Sequence, residues 1–302
     1  MYQIAIDHMD LEQIARSGQC FRMRRLEKEG GKDKSLEEGN RTDGGQMRGT
    51  EELWAVTAMD QYTEICQRGN EFTFSCGEKE FEEFWRGYFD FSRDYGHMKE
   101  TIDPQDSYLK AAVKFGWGVR ILSQDLWEMI LTFLISQNNN IKRIAASVEA
   151  LCHKYGPALT GQGFDGPVAY YGFPGPKDVY SGGLEGLQEL GLGYRDKYIF
   201  AMAEWCSTEE GVQWLEDLSE TDYHTAHSML ISRLGIGKKV ADCICLFGLG
   251  HVEAFPVDTH IRQILDKWYP EGFPLKRYEG FAGIIQQYLF YYKRNGQAKG
   301  GL

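Results

Sequence analysis

The sequence predicts an α+β protein: an antiparallel β-sheet domain over residues 1–106, then a mainly α-helical, helix-hairpin-helix domain over 107–302. Three observations carry this. Apolar and polar residues alternate in short runs through the first hundred positions, helical periodicity begins near Ser107, and two helical stretches flank Leu234-Gly235-Ile236-Gly237.

In chain order, MYQIAI and EFTFSC alternate as half-buried strands do. LWAVTAM supplies a partner strand, and Gly69-Asn70 has the composition of a hairpin turn. Residues 27–52, EKEGGKDKSLEEGNRTDGGQMRGTEE, have almost nothing to bury and read as a mobile insertion in the sheet. Asp125 is placed to cap LWEMILTFLI, a nearly continuous apolar run suited to a buried helix. IKRIAASVEALCHKYG continues as an amphipathic helix closed by Gly156, and TDYHTAHSMLISRL, KKVADCICLFGL and YEGFAGIIQQYLFYYK supply three more helices.

Composition narrows the class. With 42% hydrophobic and 25% charged residues the chain has the makings of a packed core. No apolar stretch is long enough to span a membrane and MYQIAIDHMD lacks a signal-peptide profile, so a soluble, intracellular protein is expected. The seven cysteines form no CxxC pair and none follows Cys245, which argues against a disulfide framework, a zinc site or an iron-sulfur cluster. The net charge of −11 argues at first against a nucleic-acid partner, but residues 228–302 carry a net +4, leaving −15 on the rest. One end of the molecule is thereby suited to face DNA.

The Gly235-Ile236-Gly237 turn is too short for anything but a tight hairpin, and its two glycines permit positive torsions. Unpaired amides at the start of the following helix suit a phosphate, although a purely structural turn has the same sequence. Lys238 and Lys239 fall in the first turn of that helix, where the macrodipole disfavours positive charge. Broken local rules mark functional sites, and the adjacent charge is expected to lower the Lys239 pKa and expose a nucleophilic amine. The plainer reading is a pair of phosphate-binding lysines. Asp258, nineteen residues on in FPVDTH, is placed as a helix N-cap, yet the intervening helix and loop are long enough to return its carboxylate to Lys239.

At these residues the chain resembles the 8-oxoguanine DNA glycosylases of the helix-hairpin-helix-Gly/Pro-Asp superfamily. RLGIGKKVADCICLFGL and FPVDTHIRQIL resemble that family's catalytic block, while SGQCFRM, LISQNNNIKRI, LGLGYRDKY and FAGIIQQYLF resemble its other signatures, in the family's order from Ser17 to Phe290. Leu234 departs from the proline common there.

The resemblance implies a bifunctional DNA N-glycosylase and AP lyase acting on double-stranded DNA that contains a damaged guanine, as a monomer and with no metal or redox cofactor. Lys239 would attack the sugar and Asp258 would stabilise its positive charge. Asn138 and Tyr194 would fill the gap left by the flipped base, and Arg143 and Arg195 would hold the orphaned cytosine. Gly235, Gly237 and His260 would contact phosphates. The carbonyl of Gly18 would read the oxidised edge of the base, Gln286 its pairing edge, and Phe290 and Cys243 its two faces. Gln286 and Phe290 are four residues apart, hence on one helical face. Plainer readings stand beside several of these: a polar helix boundary at Asn138, a turn at Gly18, core packing at Phe290 and Cys243. A non-catalytic DNA-binding protein and a glycosylase for another damaged base are the rival functions. The compartment implied is the nucleoid of a prokaryote or the nucleus of a eukaryote.

Overall fold

The computed structural model describes residues 1–27 and 51–296. β1 (Tyr2–Ala5), β2 (Met23–Leu26), β3 (Glu52–Ala58), β4 (Gln61–Arg68) and β5 (Glu71–Phe74) form an antiparallel sheet in the order β1-β5-β4-β3-β2. Arg68 faces Glu71 across the expected Gly69-Asn70 turn, where Gly69 takes φ +65°. β2 pairs with β3, Leu26 opposite Leu53. The expected insertion thus joins two paired strands and itself lies almost wholly outside the described residues.

The helices α1 (Leu11–Arg16), α2 (Glu78–Glu80), α3 (Arg86–Tyr88) and α4 (Tyr95–Glu100) sit among or just after these strands, with a π-helical turn at Phe81–Trp85 between α2 and α3. The strand-only reading of the first hundred residues overlooked them. They are short, and the buried aromatics Phe81 and Trp85 of the π-helical turn and Phe89 just after α3 close one face of the sheet over Trp54, Val56, Ile65, Phe72 and Phe74.

Beyond them run α5 (Ser107–Phe115), α6 (Leu126–Ser136), α7 (Ile141–Tyr155), α8 (Pro176–Ser181), α9 (Gly183–Gln188), α10 (Arg195–Cys206), α11 (Glu209–Glu220), α12 (Tyr223–Ile231), α13 (Lys238–Gly248), α14 (Thr259–Trp268) and α15 (Ala282–Asn295). The Asp125 carboxylate accepts from the Glu128 amide at 2.8 Å and so caps α6, the apolar axis of the helical core, on which α13 packs. Gly156 ends α7 as expected, for steric reasons: a Cβ there would lie 2.0 Å from the Gly172 carbonyl oxygen.

Two strands return where only helices were expected. β6 (Ala158–Gly163) and β7 (Gly166–Tyr171) form a hairpin, and β6 meets β4 in parallel at Thr63 and Gln162. Glycines at 161 and 163 obscured the alternation, and they are there because Tyr62 and Glu64 press against them: a Cβ would come within 2.7 Å and 2.8 Å of those side chains. Phe21, Tyr95, Met98 and Ile102 belong to the helical core although they precede residue 107. Packing therefore crosses the boundary drawn from sequence.

The seam between sheet and helices is electrostatic as well as apolar. Arg22, on the sheet side, bonds to the Tyr171 carbonyl and lies 3.8 Å from Glu128 of α6 and 3.5 Å from Glu149 of α7. Burial pushes the Glu128 carboxyl up to about 7, against the pull of Arg22. A folded-state value above that of the unfolded chain means that the proton on Glu128 favours folding below about pH 4.5 and that this contribution fades as pH rises through 7. Wild-type protein is expected to lose stability between pH 5 and 8 relative to Glu128→Gln, by roughly 2–3 kcal/mol. Thermal unfolding of the two proteins across that range checks it, and parallel curves would refute it.

Candidate active site

Segments far apart in sequence meet around the start of α13. Asp222 caps α12, accepting from the amides of His224 and Thr225 at 2.9 and 3.2 Å. The chain then reverses between Ser232 and Gly237. Gly235 takes φ +86° against Tyr198, whose ring would stand 2.5 Å from an added Cβ. Its carbonyl accepts from Gln137 Nε2 at 3.0 Å, tying the hairpin to the end of α6. Gly237 instead has φ −91°, which any residue adopts, with open space where a Cβ would stand. The expectation of two positive torsions thus holds only for Gly235. No side chain caps α13, so its first amides stay open to a ligand.

Lys239 is half-buried, with Nζ 5.6 Å from the centroid of the Phe133 ring. Cys243, one turn along α13, and Asp258 hold its pKa above the ordinary lysine value, outweighing burial, which lowers it. This reverses the direction expected from the neighbouring lysine. Lys238 is exposed, where water screens its field, whereas Asp258 acts on the amine through a drier path. Burial also pushes the Cys243 thiol up, and the carboxylates of Asp258 and Asp242 both add to the pull on the Lys239 amine. Asp258 is at the same time the N-cap of α14, accepting from the Ile261 amide at 2.8 Å, as expected.

The C-terminal helix brings Gln286 and Phe290 to this place. Gln286 is buried; its Nε2 donates to the Pro256 carbonyl at 2.9 Å, in the loop leading to Asp258. That bond fixes the amide's orientation and leaves Oε1, buried, with no partner among the described residues. Phe290 is half-buried, with the His260 ring edge-on at 6.0 Å. Gly18 takes φ +80°, and a Cβ on it would lie 3.3 Å from Phe290 and 3.5 Å from Ile141. Its loop is held on every side. Ser17 Oγ donates to Ile14, Gln287 Nε2 to the Ser17 carbonyl, and Gln19 Nε2 both to Ser17 Oγ and to the Arg120 carbonyl.

A second group lies beside the hairpin. Asn138, exposed at φ +47°, donates through Nδ2 to the Tyr194 hydroxyl at 3.2 Å, and Tyr194 is 46% exposed, so both stand free to enter a duplex. Arg143 is exposed and touches the protein through one bond to the Gly191 carbonyl at 3.2 Å. Arg195 differs from the expectation of a free planar donor: it is buried and bonds to the carbonyls of Gln137, Asn138 and Leu192. In this structure it is the clasp that holds Asn138 beside Tyr194. Sequence reasoning missed Gln137, Gln19 and Phe133, whose roles are visible only in three dimensions. It also missed Arg294, which the four-residue spacing from Phe290 would have signalled.

Residues 1–130 match the 8-oxoguanine DNA glycosylase N-terminal domain, and residues 131–274 match the HhH-GPD superfamily of base excision DNA repair proteins. The chain is 37% identical over 193 residues, 60% of its length, to an N-glycosylase/DNA lyase of Saccharomyces cerevisiae; the match spans half of the yeast protein (50%). A protein of Methanothermobacter thermautotrophicus, named "Probable N-glycosylase/DNA lyase", is 30% identical over 219 residues, 63% of this chain and 68% of that one. The 8-oxoguanine glycosylase/lyase of Clostridium acetobutylicum, solved with DNA containing cytosine opposite 8-oxoG, superposes with a TM-score of 0.80 at 30% identity, covering 97% of this chain and 94% of that one.

The two hairpin glycines are expected to respond differently to an added methyl group. Gly235→Ala meets both a positive torsion and the Tyr198 ring and should cost about 2 kcal/mol or more. Gly237→Ala should change stability by less than about 0.5 kcal/mol. Denaturant unfolding of both variants checks this, and equal losses would contradict the geometry described.

Proposed function

The chain belongs to the 8-oxoguanine DNA glycosylase family of the HhH-GPD superfamily, and from that premise we propose that it excises 8-oxoguanine from duplex DNA and then cleaves the strand as an AP lyase. The observation that carries the reading is the Lys239–Asp258 pair at the mouth of an uncapped hairpin helix, beside a buried amide oxygen that lacks a partner.

A base within a duplex is out of reach of Lys239, so it must be everted at a cost of a few kcal/mol. Asn138 and Tyr194 are exposed and mutually bonded, which suits them to the vacated space. Arg143, exposed, would hold the widowed cytosine on giving up its bond to the Gly191 carbonyl, and Arg195 joins it only by releasing carbonyls that it now holds. Amides after Gly237 and the imidazole of His260 face backbone phosphates. Exposed Lys142, Lys238 and Arg262 add local positive charge.

The everted purine would lie between Phe290 and Cys243. Its N1–H and exocyclic amine supply the donors that Gln286 Oε1 lacks. Oxidation turns N7 from acceptor to donor, and the Gly18 carbonyl accepts from N7–H while repelling the lone pair of unmodified guanine.

In the resting protein Lys239 is an ammonium. As the N-glycosidic bond breaks, its electron pair leaves with the base and the ammonium proton passes to N9, while the freed amine lone pair bonds to C1′. Asp258 stabilises the positive charge that develops on the sugar and remains on the adduct. Opening of the ring at O4′ gives a Schiff base, and removal of a C2′ proton expels the 3′-phosphate. A genome substrate places the protein at the nucleoid or, in a eukaryote, in the nucleus.

With duplex containing 8-oxoguanine opposite cytosine, borohydride is expected to trap a covalent adduct with wild type and none with Lys239→Gln. Absence of the adduct in both would favour a DNA-binding protein without catalysis. Because Asp258 raises the Lys239 pKa, the rise of trapping with pH on an abasic duplex should move to lower pH in Asp258→Asn, while the plateau rate falls. A pH profile that stays in place would show that Asp258 does not act on the amine.

A further inference from the structure

We propose that Arg294 is a further specificity-determining residue, donating from its guanidinium to the oxygen that oxidation adds at C8 of the everted purine. The proposal rests on the 8-oxoguanine reading above.

Arg294 stands one helical turn beyond Phe290, on the same face of α15, with its guanidinium carbon 5.4 Å from the centroid of the Phe290 ring. Its Nη1 would be 3.6 Å from a Cβ on Gly18, so the cation borders the same glycine whose carbonyl is assigned to N7–H. N7 and C8 are adjacent ring atoms. The N7–H donor and the C8 oxygen therefore lie side by side on one edge of the oxidised base, and a carbonyl beside a guanidinium is their complement.

The surroundings leave the guanidinium available. Asp258 is close enough to act on its charge, yet no hydrogen bond or ion pair from Arg294 occurs among the described residues. Five N–H donors thus stand unused at the rim of the site. In guanine the carbonyl of Gly18 meets a lone pair and the cation meets a C–H. In 8-oxoguanine both contacts become favourable at once, which separates the two bases by more than a single bond would.

The test compares full-length wild type, Arg294→Gln and Arg294→Lys on two uncleavable duplexes with cytosine opposite the lesion. One carries 2′-fluoro-8-oxo-2′-deoxyguanosine and the other a tetrahydrofuran abasic analogue. Affinities are referred to active protein by titration, so a partly misfolded variant does not distort their ratio. Arg294→Gln is expected to weaken binding to the oxidised base about tenfold to a hundredfold while leaving the abasic duplex unaffected, and Arg294→Lys to recover part of the loss. Equal losses on both duplexes would assign the residue to a phosphate, and no loss on either would leave it without a role in recognition; each result overturns the proposal. If wild type fails to excise 8-oxoguanine in a cleavable duplex, the functional reading falls first, before the variants are compared.

Discussion

The site depends on one carboxylate doing two jobs. Asp258 caps α14 through the Ile261 amide and, together with Cys243, raises the pKa of Lys239, whose amine sits near the Phe133 ring where burial lowers it. An N-cap has little freedom to move without releasing its helix, so α14 locates the charge. The hairpin locates the amine: Gly235 is pressed on Tyr198 and bound by Gln137, and α13 packs on α6. Neither residue is held by a loop free to rearrange, which is the condition for an amine to be delivered to a sugar carbon in reacting geometry.

Rigidity also explains the Gly18 loop. If, as proposed, the Gly18 carbonyl distinguishes a donor from an acceptor at N7, it is useful only if it cannot retreat, since a retreat of a few tenths of an ångström would relieve the repulsion it must impose. Ser17, Gln19 and Gln287 bond the loop from both sides, and Gln19 reaches to the Arg120 carbonyl and accepts from the Leu122 amide at 2.8 Å. The N-terminal segment is thereby fixed to the stretch entering α6, and both lie against α15. The reading element and the reacting element are parts of one rigid framework, although they begin more than two hundred residues apart.

Much of this was legible in the sequence wherever a local rule carried the information. Caps at Asp125 and Asp258, the turn at Gly69-Asn70, the buried run of α6 and the hairpin before Lys239 all follow from one short stretch each. What escaped was set by distant neighbours. The β6–β7 hairpin was hidden because close approach of Tyr62 demands glycine where a strand residue would have been recognisable. The pKa of Lys239 was given the wrong direction because its nearest charge in sequence, Lys238, points to water, while the groups that raise it, Cys243 and Asp258, stand one turn away and nineteen residues away. Arg195 likewise carried the right residue type for a cytosine, and only the structure reveals three carbonyls already in its grasp.

The unpartnered Gln286 oxygen shows how affinity and discrimination are divided in such a site. A buried acceptor left without a donor costs on the order of 1–3 kcal/mol, and on the proposed reading a guanine would supply Gln286 Oε1 with one. On the proposed reading Gln286 would favour guanines over bases lacking an N1–H donor, yet would treat the oxidised and normal forms alike because their pairing edges are identical. Discrimination between them must come from the opposite edge, where oxidation changes N7 and C8 only. A site that relied on the pairing edge would bind every everted guanine equally and would be occupied by undamaged bases, which greatly outnumber lesions. On that reading the energetics require strong positional control at Gly18 and its immediate neighbours, where Ser17, Gln19 and Gln287 hold the loop by hydrogen bonds.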